Sequence, residues 1–310
     1  MVFDGIDEVV LPVADADALI NFYASVLEFE VMASEADPDP ALARLWSLPR
    51  APRRTTLLGK EGSAGGWIRV AEVPGLASPL PAGRPDRNGA YALDFYLRDP
   101  IVTEAAAERW YPNRGVPAWY PLPGRPDAMV HEGFFDQTHS GLAHATVGYR
   151  PRGTRCVLDS HPNATVSEVV AVVFSTHRFK EAVAFVRDVL GGQAYLADEF
   201  GGEQIEALLG LSPGETLPMT LFRGPQSRNA RLEVCHARKA RPARPDERVP
   251  RAIATIALPE LDEVAEILAD GRYGPSTGVC DVRQDGVTTR RIGIHTVHGL
   301  SLDLVERRRP

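Results

Sequence analysis

Apolar residues cluster along Asp7-Glu8-Val9-Val10-Leu11-Pro12-Val13, and after a short polar gap they recur at helical spacing through Asn21-Phe22-Tyr23-Ala24-Ser25-Val26-Leu27. The pattern returns half a chain later, where Ser167-Glu168-Val169-Val170-Ala171-Val172-Val173 leads into Ala184-Phe185-Val186-Arg187-Asp188-Val189-Leu190. Each copy predicts a strand, a short loop and an amphipathic helix. Glu8 and Glu168 each share one parity with alternating apolar residues of their strand, so both are expected on the same sheet face as those residues. A repeat of this length points to a fold built by duplication.

Between the copies the pattern predicts an edge strand at Glu28 to Met32, an acidic loop from Ser34 to Pro40, and a helix from Ala41 to Leu48 ended by Pro49. Strands follow at Thr55 to Leu58 and Trp67 to Val73, divided by the Gly62-Ser63-Ala64-Gly65-Gly66 turn. Pro74 to Asn88 reads as a linker. A second unit has a strand at Tyr91 to Leu97 and a helix at Ile101 to Trp110. Strands at Trp119-Tyr120 and at Glu132 to Phe135 follow, then the turn Thr138 to Gly141 enters a last strand ending at Val147. Arg150 to Asn163 is rich in Pro, Gly and charge and reads as the domain boundary. After the second copy come a helix at Gly202 to Leu209 and strands at Met219 to Phe222 and Arg231 to Val234. Arg238 to Pro250 is a second linker. The last unit has a strand at Ile253 to Leu258, a helix at Leu261 to Ala269, a hairpin of Gly278 to Arg283 with Thr288 to Ile294, and a strand at Val297 to Glu306.

Composition sharpens this only in part. At 310 residues, with 44% hydrophobic and 24% charged residues, the chain is expected to be a soluble globular protein with room for two cores. A net charge of -7 argues against nucleic acid or an anionic membrane as partner, and Arg307-Arg308-Arg309 reads as a solvated end. No apolar run is long enough to span a bilayer, and Met1-Val2-Phe3-Asp4 lacks the basic and apolar stretches of a leader, so a cytoplasmic location is expected. Cys156, Cys235 and Cys280 are scattered and odd in number, which suggests neither a disulfide framework nor a zinc cluster.

The two strand-helix copies, together with His298-Gly299-Leu300-Ser301-Leu302-Asp303-Leu304-Val305-Glu306, resemble the vicinal oxygen chelate superfamily, the glyoxalase, bleomycin-resistance and extradiol-dioxygenase group. The resemblance implies an α+β fold of four βαβββ modules, each pair of modules closing a curved sheet around a pocket. On this reading the modules are 1–73, 89–150, 164–237 and 250–310. They pair in chain order into domains 1–150 and 164–310, joined by linker 151–163. Metal ligands in that family sit on the first and last strands of each module. Carried over by position, the first-strand ligand falls on Glu8, near Ala92, on Glu168 and near Ile253. The last-strand ligand falls on Arg69, Ala145, Glu233 and Asp303.

Glu8, Arg69 and two alanines cannot hold a divalent cation in the family's manner. Glu168, Glu233 and Asp303 are the candidate metal ligands, for one hard cation of the Mg or Mn type. With no metal among them, the same three would raise one another's pKa, and one could act as general acid or base. His139 and His298 join them as catalytic candidates, because they lie at turns that can reach a pocket rim. Arg69 beside Glu8 is expected to form an internal ion pair or to clamp an oxygen of a ligand. Asp94, flanked by Phe95 and Tyr96, is a further inward polar residue. Trp67, Trp119, Tyr120 and Phe135 are either core or the wall of a flat ligand's pocket.

Two functions stay open. One is an isomerase, lyase or cyclase of secondary metabolism acting on a small oxygenated or aromatic metabolite. The other is a binding or resistance protein that sequesters such a molecule without chemistry. An extradiol-type dioxygenase is a third, weakened by the missing imidazole ligands. The expected partner is a small molecule, with no nucleotide cofactor, no nucleic acid and no membrane, in a monomer or homodimer.

Overall fold

A computed structural model describes residues 3–77, 85–111, 115–122, 125–149, 152, 155–224, 230–238 and 249–307. The first unit comprises β1 (Glu8–Val13), α1 (Ala16–Leu27), β2 (Glu30–Ala36), α2 (Ala41–Leu45), β3 (Arg54–Gly59) and β4 (Trp67–Glu72). The second has β5 (Gly89–Leu97), α3 (Pro100–Ala107), β6 (Ala118–Leu122), β7 (Arg125–Gln137) and β8 (Leu142–Tyr149). The third has β9 (Val166–Thr176), α4 (Phe179–Asp188), β10 (Gln193–Phe200), α5 (Glu203–Leu209), β11 (Leu217–Arg223) and β12 (Arg231–His236). The fourth has β13 (Ile253–Leu258), α6 (Asp262–Leu268), β14 (Cys280–Gln284), β15 (Val287–His295) and β16 (Ser301–Glu306). The fold is therefore α+β, with four βαβββ units, and the first and third units each carry an extra short helix at the same place.

Local chemistry sets the helix starts. Asp15 caps α1 by accepting hydrogen bonds from the amides of Asp17 and Ala18, and Asp99 caps α3 through the Val102 amide with Pro100 in the first turn. β2 runs on to Ala36, through the stretch expected as an acidic loop. Its side chains are mostly exposed, so no apolar face announces it. β10 also escapes the pattern, for the same reason.

The units form two eight-stranded sheets, but they do not pair in chain order. The first sheet runs β14-β15-β16-β13-β1-β4-β3-β2 and joins the first unit to the fourth. The second runs β10-β11-β12-β9-β5-β8-β7-β6 and joins the second to the third. Antiparallel seams close both, with Glu8 opposite Thr255 between β1 and β13, and Asp94 opposite Ala171 between β5 and β9. The expected pairing of first with second and third with fourth is thus corrected. A unit's first strand is covered on one side by its own last strand, and any other unit's first strand can close the open edge, so chain order cannot choose. The segment expected as a domain boundary instead lies inside the second sheet's connectivity. It is tied down by Arg98, which donates to the carbonyls of Leu158, His161 and Ala164.

The main core lies between the sheets' helix-bearing faces. Val9, Leu11 and Val13 of β1, Leu93 and Phe95 of β5, and Val172 and Phe174 of β9 pack there against α1, α4 and α6. His144 sits inside this core among Phe22, Tyr23, Phe95 and Phe135, and its Nε2 lies 2.7 Å from the Tyr23 hydroxyl. Burial drives its pKa down to about 3, so the ring is neutral at physiological pH and works as a packed, hydrogen-bonded core residue. Tyr23→Phe, which strands that ring nitrogen, is expected to cost about 1–3 kcal/mol in urea unfolding. A change below a few tenths would mean the bond contributes nothing.

Candidate functional site

Each sheet has a concave face, and the two are used differently. The first is filled. Leu42, Leu45 and Trp46 of the α2 region pack on Val10, Ala71, Ile253 and Val282. Gly293 on β15 makes this approach possible, because a Cβ there would stand 2.0 Å from the Leu45 carbonyl oxygen. The charged groups of this face are paired with one another, while Asp303 Oδ1 and Thr255 Oγ1 are buried with no hydrogen-bond partner among the described residues. Arg69 donates to Glu8 Oε1 and Oε2 at 2.7 and 3.0 Å, and to Asp285 Oδ1 and Oδ2 at 3.2 and 2.7 Å. Asp303 Oδ2 accepts from Trp46 Nε1 at 2.9 Å and from Arg291 Nη1 at 2.8 Å.

The second concave face encloses a cavity of about 480 Å³, within the range that holds small organic ligands. The helix that matches α2 explains the contrast. Leu42-Ala43-Arg44-Leu45-Trp46-Ser47-Leu48 corresponds to Ile205-Glu206-Ala207-Leu208-Leu209-Gly210-Leu211, with Ser47 and Gly210 both left-handed at φ 54° and 65°. Trp46 therefore stands where the third unit has Leu209. The indole fills the first face, whereas Ile205 and Leu209 only form a wall of the second cavity.

That cavity has aromatic walls from Tyr91, Tyr120, Phe134, Tyr195 and Phe200, a polar group of Asp94, Glu132, Arg231, Glu233 and Cys235, and two further arginines, Arg152 and Arg223, on its lining. Alternation aims them: Val130, Glu132 and Phe134 line it from β7, and Arg231, Glu233 and Cys235 from β12. The Tyr120 hydroxyl donates a hydrogen bond to Glu132 Oε2, and the Cys235 thiol donates to Glu233 Oε1 at 3.3 Å. Arg231 donates to the Val170 carbonyl at 3.1 Å and to the Tyr195 hydroxyl at 2.6 Å. Among the described residues, no hydrogen-bond donor reaches the carboxyl of Asp94, which is 7% exposed.

Electrostatics follow from this crowding. Burial raises the Glu132 carboxyl to about 7; the Tyr120 hydrogen bond opposes the rise and the charge of Glu233 adds to it. Asp94 is pushed well above the ordinary carboxylate range, by burial first and then by Glu233, against the pull of Arg231. Glu233 is raised by burial, against its Cys235 hydrogen bond and the Arg231 charge. The group therefore holds protons at neutral pH that surface carboxyls would have lost.

The structure does not bring Glu168, Glu233 and Asp303 together. Asp303 belongs to the filled first face. Glu168 accepts from the Val157 amide at 3.0 Å and so anchors the turn Val157–Asp159. Strand register gives the reason. Arg69 pairs with Leu57 as Glu233 pairs with Leu221, and Val10 stands beside Arg69 as Val173 stands beside Glu233. Glu8 thus matches Ala171, three residues beyond Glu168. The same register replaces Ala92 by Asp94 and Ile253 by Thr255, since Asp94 lies opposite both Ala171 and Ala145, and Thr255 opposite both Glu8 and Asp303.

Of the ligand candidates, Asp94 and Tyr120 line the cavity; the others lie elsewhere. Glu8 and Arg69 form the internal ion pair of the first face. Phe135 points into the central core beside Tyr111, one residue out of phase with Phe134. Trp119 is 54% exposed, against the His131 ring, and Trp67 donates to Ser63 Oγ. His139 rests on Tyr111, and His298 is buried against Phe185 and Tyr273. Sequence reasoning misses Glu132, Arg231 and Cys235 as site residues. For the last two the signal is present, since they flank Glu233 at a spacing of two.

The cavity's four register positions for family metal ligands are Asp94, Ala145, Ala171 and Glu233. Two are methyl groups, none is imidazole, and Glu233 already accepts a thiol hydrogen bond. Among the described residues, no three His, Cys, Asp or Glu side chains form a group that could hold a metal ion. The donor set does not fit the metal that the sequence resemblance implies.

No family model and no curated protein matches the sequence. Solved structures do match. Glyoxalase I from Zea mays superposes with a TM-score of 0.61 at 12% identity, over 97% of this chain and 92% of the other. A presumed dioxygenase from Bacillus subtilis gives a TM-score of 0.60 at 13% identity, over 98% and 85%.

Proposed function

We propose, from the premise that this chain has the vicinal oxygen chelate fold shared with those structures, that its second concave face binds a small, largely apolar or aromatic metabolite and moves a proton on it without the family's metal. The observation that carries this reading is the Tyr120–Glu132 pair. It sits in a walled cavity with a carboxyl of pKa about 7, where a general base or acid is most effective near neutral pH. Glu132 takes or returns the proton. Tyr120, whose hydroxyl is held protonated by burial and by the surrounding acids, orients that carboxyl through its hydrogen bond. The aromatic walls position a flat ligand and exclude water. Isomerase-type chemistry is the class this arrangement suits.

The test is proton-deuterium exchange at carbon, followed by NMR in D2O, over a panel of aryl ketones and β-dicarbonyl compounds. Exchange is expected to rise with pH through about 7, as Glu132 ionises. Compounds that bind without exchange would instead favour a sequestering protein, the reading that the aromatic lining supports by itself.

A further inference from the structure

Asp94 is a buried carboxyl aimed into a cavity with no donor to meet it among the described residues, and Glu233 faces the same cavity close enough for their charges to act on each other. Such a pair in a low-dielectric chamber holds a proton when empty, as the raised carboxyls here do, and can exchange that proton for a cation or a set of N–H donors placed between its members. Arg231 draws on both acids as a charge, but among the described residues its guanidinium donates to the Val170 carbonyl and the Tyr195 hydroxyl and to neither acid. By register these two acids occupy the diagonal pair of ligand positions, and the other two positions are alanines that leave room rather than donors. A cluster with this charge and this space suits a cation that brings its own bulk.

We propose that the ligand of this cavity is an organic amine, whose ammonium group sits between Asp94 and Glu233 where the fold's relatives would place a metal, with its apolar or aromatic body against Tyr91, Phe134 and Phe200. An ammonium carries three donors and one positive charge, so a single group takes the place of the proton that Asp94 otherwise holds and offsets the charge of Glu233. Arg223, stacked 4.8 Å over the Tyr195 ring, and Arg152, paired with Asp159, put positive charge on the same lining and disfavour a second ammonium. The ligand class is therefore monobasic, with a neutral or acidic far end. This inference rests on the second face being the ligand site and adds to it the chemistry of recognition.

Three probes of similar size test it on the full-length protein: 2-phenylethylamine, 2-phenylethanol and phenylacetate, with affinities measured by ligand-observed NMR. The amine is expected to bind about tenfold or more tighter than the alcohol, as for a gained charge-assisted hydrogen bond, and phenylacetate weakest. Asp94→Asn and Glu233→Gln are each expected to shrink the amine preference over the alcohol to about threefold or less, with a circular dichroism spectrum like that of the wild type showing the fold intact. Equal or tighter binding of the alcohol or of phenylacetate by the wild type overturns the inference, as does an amine preference that survives both substitutions. If exchange at carbon persists in that case, the proton-transfer reading stands without it. If no probe binds and no carbon acid exchanges, both readings fall.

Discussion

Glu132→Gln is expected to reduce exchange at carbon by about 100-fold or more, the usual contribution of a positioned general base or acid. The same change should make the protein more stable in mild alkali. In the folded chain the carboxyl's pKa is about 7 against an ordinary 4.5, so the folded state binds the proton more tightly than the unfolded one. The contribution to stability is complete below pH 4.5 and is lost as pH rises through about 7. Over that window the wild type loses up to about 3 kcal/mol from this group, since each tenfold difference in proton affinity between the folded and unfolded states is worth roughly 1.4 kcal/mol. Glutamine cannot ionise and still accepts the Tyr120 hydrogen bond. Urea midpoints of the two proteins should therefore agree near pH 4.5 and separate in the variant's favour by about pH 8. Equal exchange rates would remove Glu132 from the chemistry, and equal midpoints in mild alkali would mean that water already solvates the carboxylate.

The second large effect belongs to the other face. Arg69→Met should destabilise the fold by about 3–5 kcal/mol, because it leaves the buried Glu8 carboxylate, and Asp285 beside it, without a cation. The double change Glu8→Gln, Arg69→Met should recover part of that loss, since an uncharged pair has less to desolvate. Amine binding and exchange in the second cavity should be unaffected in any fraction that remains folded. A loss below about 1 kcal/mol would show that water reaches the pair and screens it, as at an exposed bridge.

Much of the architecture is legible in the chain because β1 with α1, and β9 with α4, repeat both an apolar order and a helical spacing. The pairing of units is not, since Glu8 against Thr255 and Asp94 against Ala171 are contacts between distant segments, and nothing in the local pattern of either strand names its partner. The site is half legible. Asp94, Tyr120 and Glu233 read as inward residues and do line the cavity. Glu168 is misplaced by three residues because the run Val169 to Val173 is apolar at every position, so parity within it carries no register. Register irregularities where β9 meets β5 settle it only in three dimensions. Phe135 and Phe134 are hard to separate for a similar reason, both being aromatic, and only the length of β7 shows that Phe134 shares a side with Glu132.

Trp46 and Leu209 occupy one position in two copies of the same helix, and the difference amounts to a division of labour. A chamber lined with buried, crowded acids lowers the stability of whatever scaffold contains it, and a protein with a single sheet would have to absorb that loss around the chamber itself. Here the duplicate absorbs it. The indole-filled copy is free to be optimised as ballast, and its twin to remain hollow and charged, so that change in ligand preference can proceed in one half while the other keeps the molecule folded.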